Sequence, residues 1–320
     1  MKKIGIEILK IIITGGLFFY LFKTKVPLHE VLQNIKNINL FYFVIAIFSI
    51  FLYYLIFSLR WRSLLKAQNI EISKGRSYSY IIISFFFNNF LPSGLGMDLV
   101  RSAYAGGRDN FEKALGASIM ERVLGIIGMM LIGIIAVLSW RRDFAKLIIY
   151  FLIIILILLI YYSLISLKFS WLKEKLISIK LLNLGNSIKE FYRAFKTYKS
   201  KRKIVIWGTG YSILLQVVVI LINYFIAKGL SLPIPSFAFF AYIPLITVIS
   251  LIPITINGLG LRETCYVIFF SSFNIAKSEA FSLSLLFFVA SVIASCVGGI
   301  AFLLLPRQTH NNILNKKESS

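Results

Sequence analysis

The stretch FFFNNFLPSGLGMDLVRSAYAGGRDNFEKALGASIMER, from Phe85 to Arg122, lies between segments that are otherwise apolar enough for a membrane interior. Polar and ionisable groups at membrane depth are costly unless they face protein or a wet cavity, so we interpret this stretch as functional. A related stretch, PITINGLGLRE from Pro253 to Glu263, repeats a proline, Gly-Leu-Gly and an arginine near a carboxylate. Either patch alone would predict only a kinked or closely packed helix. Their repetition, with charge each time, favours function.

Composition indicates an all-α polytopic membrane protein. Of the 320 residues 58% are hydrophobic and 15% are charged, and several apolar runs reach the length of a bilayer span. The formal net charge is +22, but the basic residues lie in loops between apolar runs, which favours an anionic lipid surface over nucleic acid. Cys265 and Cys296 lie in apolar segments without CxxC spacing and are interpreted as small core residues.

The sequence predicts six full spans in one transmembrane domain, residues 1–305. The first helix is predicted to be uncleaved, because the segment after Phe22 lacks the small-residue cleavage site of a secretory signal. Arg60, Trp61 and Arg62 are interpreted as an interface anchor closing the second span. The predicted spans cover about 8–22, 40–59, 117–140, 147–167, 204–227 and 281–305, and a polar tail covers 306–320.

Two further apolar segments are too short or too interrupted to cross. The run from about Tyr80 to Leu91 meets Pro92, and the run from Phe237 to Pro253 meets a Gly-Leu-Gly turn. Both are predicted to form re-entrant helical hairpins. Eight ordinary but short or kinked spans remain the alternative.

Most of the 35 Lys and Arg residues then lie on the side that holds both termini, which the positive-inside rule places in the cytoplasm of a cell membrane. The two hairpins open from opposite sides, as an inverted repeat with halves at about 1–167 and 204–305 predicts. The linker, residues 168–203, has an apolar stripe and a basic face. Such a helix either lies on an anionic leaflet or covers the helix bundle in the cytosol.

The sequence lacks the residues of several enzyme classes. The two histidines, His29 and His310, fall in a loop and in the tail, so neither a histidine metal site nor a Ser-His-Asp arrangement is predicted. No DxD pair, P-loop or GxSxG occurs, and no cofactor is expected. Membrane transport is therefore favoured over catalysis.

Three charged pairs at membrane depth are the candidate substrate-binding groups: Asp98 with Arg101, Glu121 with Arg122, and Arg262 with Glu263. The first pair is three residues apart and can meet on one helix face, whereas adjacent residues should find partners elsewhere. We hypothesise pairing across the two repeats, leaving an arginine for a phosphate, because its planar fork binds phosphate oxygens bidentately. The alternative is that these charges only lock helices together. Neighbouring groups suited to an anion are Asn88, Asn89, Gly94, Gly96, Asn257, Gly258 and Gly260.

The ordered motifs NNFLPSGLGMDLVR, MERVLG and PITINGLGLRE resemble the transmembrane region of the lysylphosphatidylglycerol synthase and flippase family across nearly the whole chain. The resemblance implies a membrane region that moves a phospholipid between leaflets. This chain stops at Ser320, without the soluble synthase domain of the best-known members, so lipid aminoacylation is not implied. Gly96-Met97-Asp98 stands where the family has Gly-Gly-Asp, which affects how closely a headgroup approaches.

These observations predict a flippase-like translocase for an anionic phospholipid or a polyprenyl-phosphate-linked lipid. In the predicted mechanism the headgroup exchanges with the ion pairs while its tails stay in lipid. Two alternatives remain: a membrane enzyme or accessory subunit of polyprenyl-linked glycan synthesis, and a structural lipid-binding scaffold.

Overall fold

The computed structural model describes residues 13–17, 19–23, 26–89, 96–139, 196–251, 255 and 258–304. Within these ranges the chain forms helices and no strand. The predicted span at 147–167, most of the 168–203 linker and the 306–320 tail lie outside the described residues. Helical residues 13–17 and 19–23 precede nine α-helices, and residues 196–200, before the sixth of these, are also helical. The nine helices are α1 (Leu28–Lys36), α2 (Leu40–Ala67), α3 (Lys74–Asn88), α4 (Gly96–Gly106), α5 (Phe111–Ser139), α6 (Arg202–Gly229), α7 (Ser236–Ser250), α8 (Leu261–Phe270) and α9 (Lys277–Leu304).

Four of the described helices are long and apolar enough to cross a membrane: α2, α5, α6 and α9. Each is at least 26 residues long over its apolar part, or about 39 Å at 1.5 Å per residue, against a hydrocarbon core of about 30 Å. Large apolar side chains such as Phe41, Trp207 and Leu303 remain exposed on them, as expected of surfaces that face lipid. The chain is therefore a multi-pass membrane protein.

Local sequence sets the helix boundaries. The Asn39 side chain accepts a hydrogen bond from the Phe41 backbone N–H (3.0 Å) at the start of α2, and Ser73 does the same for Arg76 (3.2 Å) at the start of α3. Helix α2 runs on to Ala67 rather than ending near residue 59, because apolar residues resume after Arg62. Helix α5 likewise begins at Phe111, earlier than predicted.

The two interrupted segments are pairs of short helices. Helices α3 and α4 have 15 and 11 residues and pack on each other, as do α7 and α8 with 15 and 10. A 15-residue helix is about 22 Å long, shorter than the hydrocarbon core. Pro244 lies inside α7, and the positive φ of Gly258 (74°) and Gly260 (81°) forms the turn before α8.

Helices α2 and α6 run antiparallel along their full length. The Asn39 N–H, before α2, donates to the carbonyl of Gly229 at the end of α6 (2.9 Å). At the other end, Lys201 Nζ, before α6, donates to the carbonyl of Ala67 (2.8 Å). Between these points, Arg60 Nη1 donates to Ser212 Oγ (2.8 Å).

Each helix of the set α2 to α5 has packing partners that correspond to those of its counterpart in the set α6 to α9. Helix α3 packs on α9, and correspondingly α7 packs on α5; α4 packs on α5, and α8 on α9. In this correspondence α2 matches α6, α3 matches α7, α4 matches α8 and α5 matches α9. The contact of α2 with α9 likewise corresponds to that of α6 with α5. The pairwise contacts of the two sets of four helices therefore correspond.

Candidate functional site

A buried ionic network joins α2, α4 and α5. Arg101 on α4 is fully buried and donates to Asp98 Oδ1 (2.5 Å) and to Glu121 Oε2. Glu121 on α5 also accepts from Arg60 Nε (3.1 Å), and Asp98 Oδ2 accepts from Arg122 Nε (2.5 Å). Each carboxylate is thus held by two arginines. Among the described residues these five side chains are three guanidinium groups and two carboxylates, which gives them a formal charge of +1.

Aromatic residues of α2 support the network. The guanidinium of Arg101 lies 5.1 Å from the ring centres of both Phe57 and Trp61, and that of Arg60 lies 4.9 Å from Phe57. Trp61 is itself held by donating its indole N–H to Ser118 Oγ (3.1 Å). These contacts fix the arginines in the orientation in which they meet the carboxylates.

The interface anchor predicted at Arg60 to Arg62 is wrong for its first two residues. Arg60 is 4% exposed and Trp61 is fully buried. Arg60 is a member of the network that sequence analysis missed, because an arginine after a long apolar run is typical of a membrane interface. The signal that it lies inside the bundle is the apolar sequence that follows, with Leu64, Leu65 and Ala67 also buried.

A cavity of about 550 Å³ adjoins the network. Arg60, Arg101, Glu121 and Arg122 are among its lining residues. The remaining lining residues come from α2 to α7 and from the turn before α8: Tyr53, Phe57, Phe85, Asn88, Met97, Gly125, Ile126, Met129, Ser212, Leu215, Gln216, Val219, Thr247, Ser250, Leu251, Thr255 and Gly258. The cavity lies between the two sets of helices and contacts both interrupted segments.

Polar groups of the second set also face this cavity. Gln216 on α6 is 3% exposed and Thr255 is 4% exposed, and both line the cavity. Neither Gln216 Nε2 nor Thr255 Oγ1 has a hydrogen-bond partner within the described part of the chain. Neither residue was predicted as a site residue, although Thr255 lies within the PITINGLGLRE stretch; the available signal for Gln216 was a single polar residue within an apolar run.

The remaining predicted site residues either line the cavity, pack elsewhere within the protein or lie outside the described residues. Asn88 and Gly258 line the cavity, whereas Asn89 donates to Ser295 Oγ (2.7 Å) and so ties α3 to α9. Gly96 is the buried first residue of α4, and Asp98 is fully buried behind the arginines without lining the cavity. Gly94 and Asn257 lie outside the described residues.

The second charged pair is a helix cap. Glu263 accepts hydrogen bonds from its neighbour Arg262 (2.7 Å), from the Gly260 backbone N–H (2.6 Å) and from Ser284 Oγ (3.3 Å). Glu263 therefore caps the start of α8, and the Gly260 N–H donates within the protein rather than to an anion. The guanidinium of Arg262 lies 5.4 Å from the ring centre of Phe288. Neither Arg262 nor Glu263 lines the cavity.

The hypothesis of pairing across the two halves is therefore wrong for the described ion pairs. Asp98 and Arg101 do pair at i,i+3, and Glu121 and Arg122 do find partners elsewhere, but those partners lie in the first set of helices. Arg262 pairs with Glu263 although the two are adjacent in sequence. The Glu263 carboxylate points back toward the Gly260 N–H at the start of α8, and the Arg262 guanidinium contacts the same carboxylate there.

The end of the basic linker packs on protein. Tyr198 is buried and donates to the Leu64 carbonyl (3.0 Å), beside the contact of Lys201 with Ala67. For residues 196–200 this fits a segment that covers the helix bundle.

Fold and site together define a multi-pass helical membrane protein with a charged internal cavity. The chain belongs to the family described as the lysylphosphatidylglycerol synthase TM region, which matches residues 8–299. It is 26% identical to the UPF0104 membrane protein MJ1595 of Methanocaldococcus jannaschii, over 93% of this chain and 95% of that protein. No solved structure matches it.

Proposed function

We propose that the protein is a flippase-like translocase for an anionic phospholipid or a polyprenyl-phosphate-linked lipid. The observation that carries this proposal is the 550 Å³ cavity, placed between two sets of helices and lined by arginines of a network with excess positive charge. Its volume falls within the roughly 300–1,000 Å³ of pockets that hold small molecules. Membership of the family supports a function in lipid handling.

Arg122 is the first group that a phosphate meets. Its side chain is 32% exposed, whereas those of Arg60 and Arg101 are at most 5% exposed. A guanidinium donates two parallel hydrogen bonds to phosphate oxygens, and in a low-dielectric cavity those bonds are stronger than in water. An entering headgroup therefore binds Arg122 before it reaches the deeper arginines.

The double pairing of each carboxylate permits the exchange. When Arg122 turns from Asp98 to a phosphate, Asp98 keeps Arg101; when Arg101 turns away, Glu121 keeps Arg60. Removing the only partner of a buried charge costs about 3–5 kcal/mol, and this arrangement avoids that cost. The headgroup leaves when the carboxylate takes its arginine back, so the site binds transiently.

The two halves form an inverted repeat in this proposal, with boundaries at about 1–167 and 204–305. The antiparallel course of α2 and α6 and the matching packing partners of the two sets support it. The α3–α4 and α7–α8 pairs are then re-entrant hairpins among six full spans, opening from the cytoplasm and from outside respectively. The cavity between them serves both leaflets in turn.

The protein resides in a cell membrane with both termini in the cytoplasm in this proposal. In this proposal the eleven Lys or Arg residues of the 168–203 linker attract an anionic leaflet, while residues 196–200 pack on the helix bundle. This placement concentrates anionic lipids on the side from which the first hairpin opens.

Transport of tail-labelled phosphatidylglycerol in proteoliposomes tests the proposal. Arg122→Gln should lower the translocation rate about tenfold or more, because hydrogen bonds to charged groups contribute roughly 1.5–3 kcal/mol, and Arg122→Lys should retain part of the rate. Arg76→Gln is the matched control, since Arg76 is exposed in the first turn of α3 and does not line the cavity.

A wild-type rate equal to that of protein-free vesicles, or a rate that Arg122→Gln leaves unchanged, would contradict translocation at this site. Turnover of a sugar-phosphate lipid by the purified protein would instead favour a membrane enzyme of glycan synthesis.

A further inference from the structure

We infer that the cavity selects a phosphate that carries a hydroxyl-rich group, a polyol or a sugar, over a bare phosphate and over a cationic headgroup. This inference rests on the proposed function, since it names the chemical class of the substrate. It is carried by polar groups of the second set of helices that line the same cavity as the arginines.

Two buried polar side chains that line the cavity have no hydrogen-bond partner among the described residues. Gln216 Nε2 and Thr255 Oγ1 have no hydrogen-bond partner among the described residues, although both residues are at least 96% buried. A buried amide or hydroxyl without a partner costs free energy, and such a cost is typical of groups that a ligand satisfies. The amide N–H donates to an oxygen, and the hydroxyl can donate or accept.

Helix α7 presents acceptors to the same cavity. Thr247 Oγ1 donates to the Ile243 carbonyl and Ser250 Oγ to the Ile246 carbonyl, each at 2.7 Å. With its hydrogen committed to its own helix, each oxygen keeps lone pairs for a donor, and both residues line the cavity. Donors and acceptors that line one cavity match hydroxyl groups, which both donate and accept. Bare phosphate oxygens only accept once they are ionised.

The charges disfavour a cationic headgroup. Glu121 is the one carboxylate among the described residues that line the cavity, and its two oxygens are held by Arg60 and Arg101. An ammonium group in the cavity would lie near three arginines, and the one lining carboxylate would already be paired with two of them. An aminoacylated lipid with a free ammonium is therefore a poor ligand for this cavity.

The volume of the cavity also favours a phosphate that carries a further group. A phosphate held between Arg101 and Arg122 fills only part of a 550 Å³ cavity, and Gln216 and Thr255 lie in the part lined by α6 and the turn before α8. A substituent on the phosphate fills the remainder and reaches these two side chains.

The variants Gln216→Leu and Thr255→Val remove the polar groups at nearly constant shape. Thr209→Val is the matched control, since Thr209 lies on α6, donates to the Val205 carbonyl and does not line the cavity. For each variant, binding in detergent and translocation in proteoliposomes are measured with three labelled lipids: phosphatidylinositol, phosphatidic acid and lysylphosphatidylglycerol.

The wild type should prefer phosphatidylinositol in both assays. Each variant should lower phosphatidylinositol binding and transport roughly 2- to 10-fold per lost hydrogen bond, with phosphatidic acid unchanged. Without lipid, Gln216→Leu should melt at the same temperature as the wild type or higher, since it removes an unpartnered buried amide. That result separates ligand binding from a structural role.

Equal loss of both lipids, wild-type preference for phosphatidic acid or the lysyl lipid, or a lower melting temperature of Gln216→Leu without lipid would each overturn the inference. Selective binding of phosphatidylinositol without translocation would uphold it and contradict the proposed function instead. Translocation without any preference among the three lipids would uphold the function and overturn the inference.

Discussion

The Gly-Leu-Gly regions before α4 and before α8 have similar sequences and different contacts. Each places a carboxylate in the first turn of the following helix, Asp98 in α4 and Glu263 in α8. Asp98 pairs with arginines three and twenty-four residues away, and its network adjoins the cavity. Glu263 bonds to its own helix start, to its neighbour Arg262 and to Ser284.

The difference shows that the partners of a charged pair decide its role. A carboxylate that satisfies its own backbone is committed to the fold, because releasing it exposes helix-terminal N–H groups. A carboxylate shared between two arginines can release one of them and stay paired. The first region therefore suits exchange with a ligand, and the second fixes the hairpin turn.

The largest expected difference between the regions is in stability. Arg101→Leu should lower the free energy of unfolding by about 3–5 kcal/mol, because it leaves two buried carboxylates short of a partner. Arg262→Leu should cost about 1 kcal/mol, because Glu263 keeps the Gly260 N–H. Unfolding followed by tryptophan fluorescence in micelles measures both. Equal losses would mean that the two pairs have the same structural role.

Glu121→Gln should cost about 2–3 kcal/mol without an added anion and should increase stabilisation by phosphate. It removes a negative charge while Arg60, Arg101 and Arg122 remain, so the network attracts anions more strongly. Melting temperature against phosphate concentration measures this, with Glu263→Gln as the matched variant. A similar phosphate response in both variants would remove the distinction between the regions.

Gly260→Ala should cost about 2 kcal/mol, because φ is 81° and an added Cβ would lie 3.0 Å from Leu17 Cβ. Gly210→Ala is the control: it lies within α6 with nothing within 4 Å of an added Cβ, so it should be neutral or stabilising. Thermal unfolding compares them. A neutral Gly260→Ala would mean that the second turn does not need its glycine.

The smallest expected effects come from the serines beside the two pairs. Ser212→Ala removes a 2.8 Å hydrogen bond from Arg60 and should cost about 1.5 kcal/mol. Ser284→Ala removes a 3.3 Å bond to Glu263 and should cost about 0.5 kcal/mol. Unfolding measurements in parallel distinguish them. The reverse order would show that the second pair is the more tightly held.

Sequence analysis located the membrane class, the family and the four described spans because apolar run length is a local property. It also located the interrupted segments, since Pro and Gly interrupt helices locally. It found Arg101, Glu121 and Arg122 as rare charges within apolar sequence. It missed Arg60, Gln216 and Thr255, because one polar residue near or within an apolar run does not reveal which way the helix turns it.

The sequence by itself determined that the chain spans a membrane, where its helices break and which residues carry charge, because these depend on composition along short stretches. Tertiary structure alone decided that Arg60 joins Glu121 and that Ser212 and Gln216 of α6 line the same cavity as the arginines. These contacts join residues up to about 150 positions apart, as between Arg60 and Ser212, and so depend on how helices pack. Packing assigned different roles to two similar motifs.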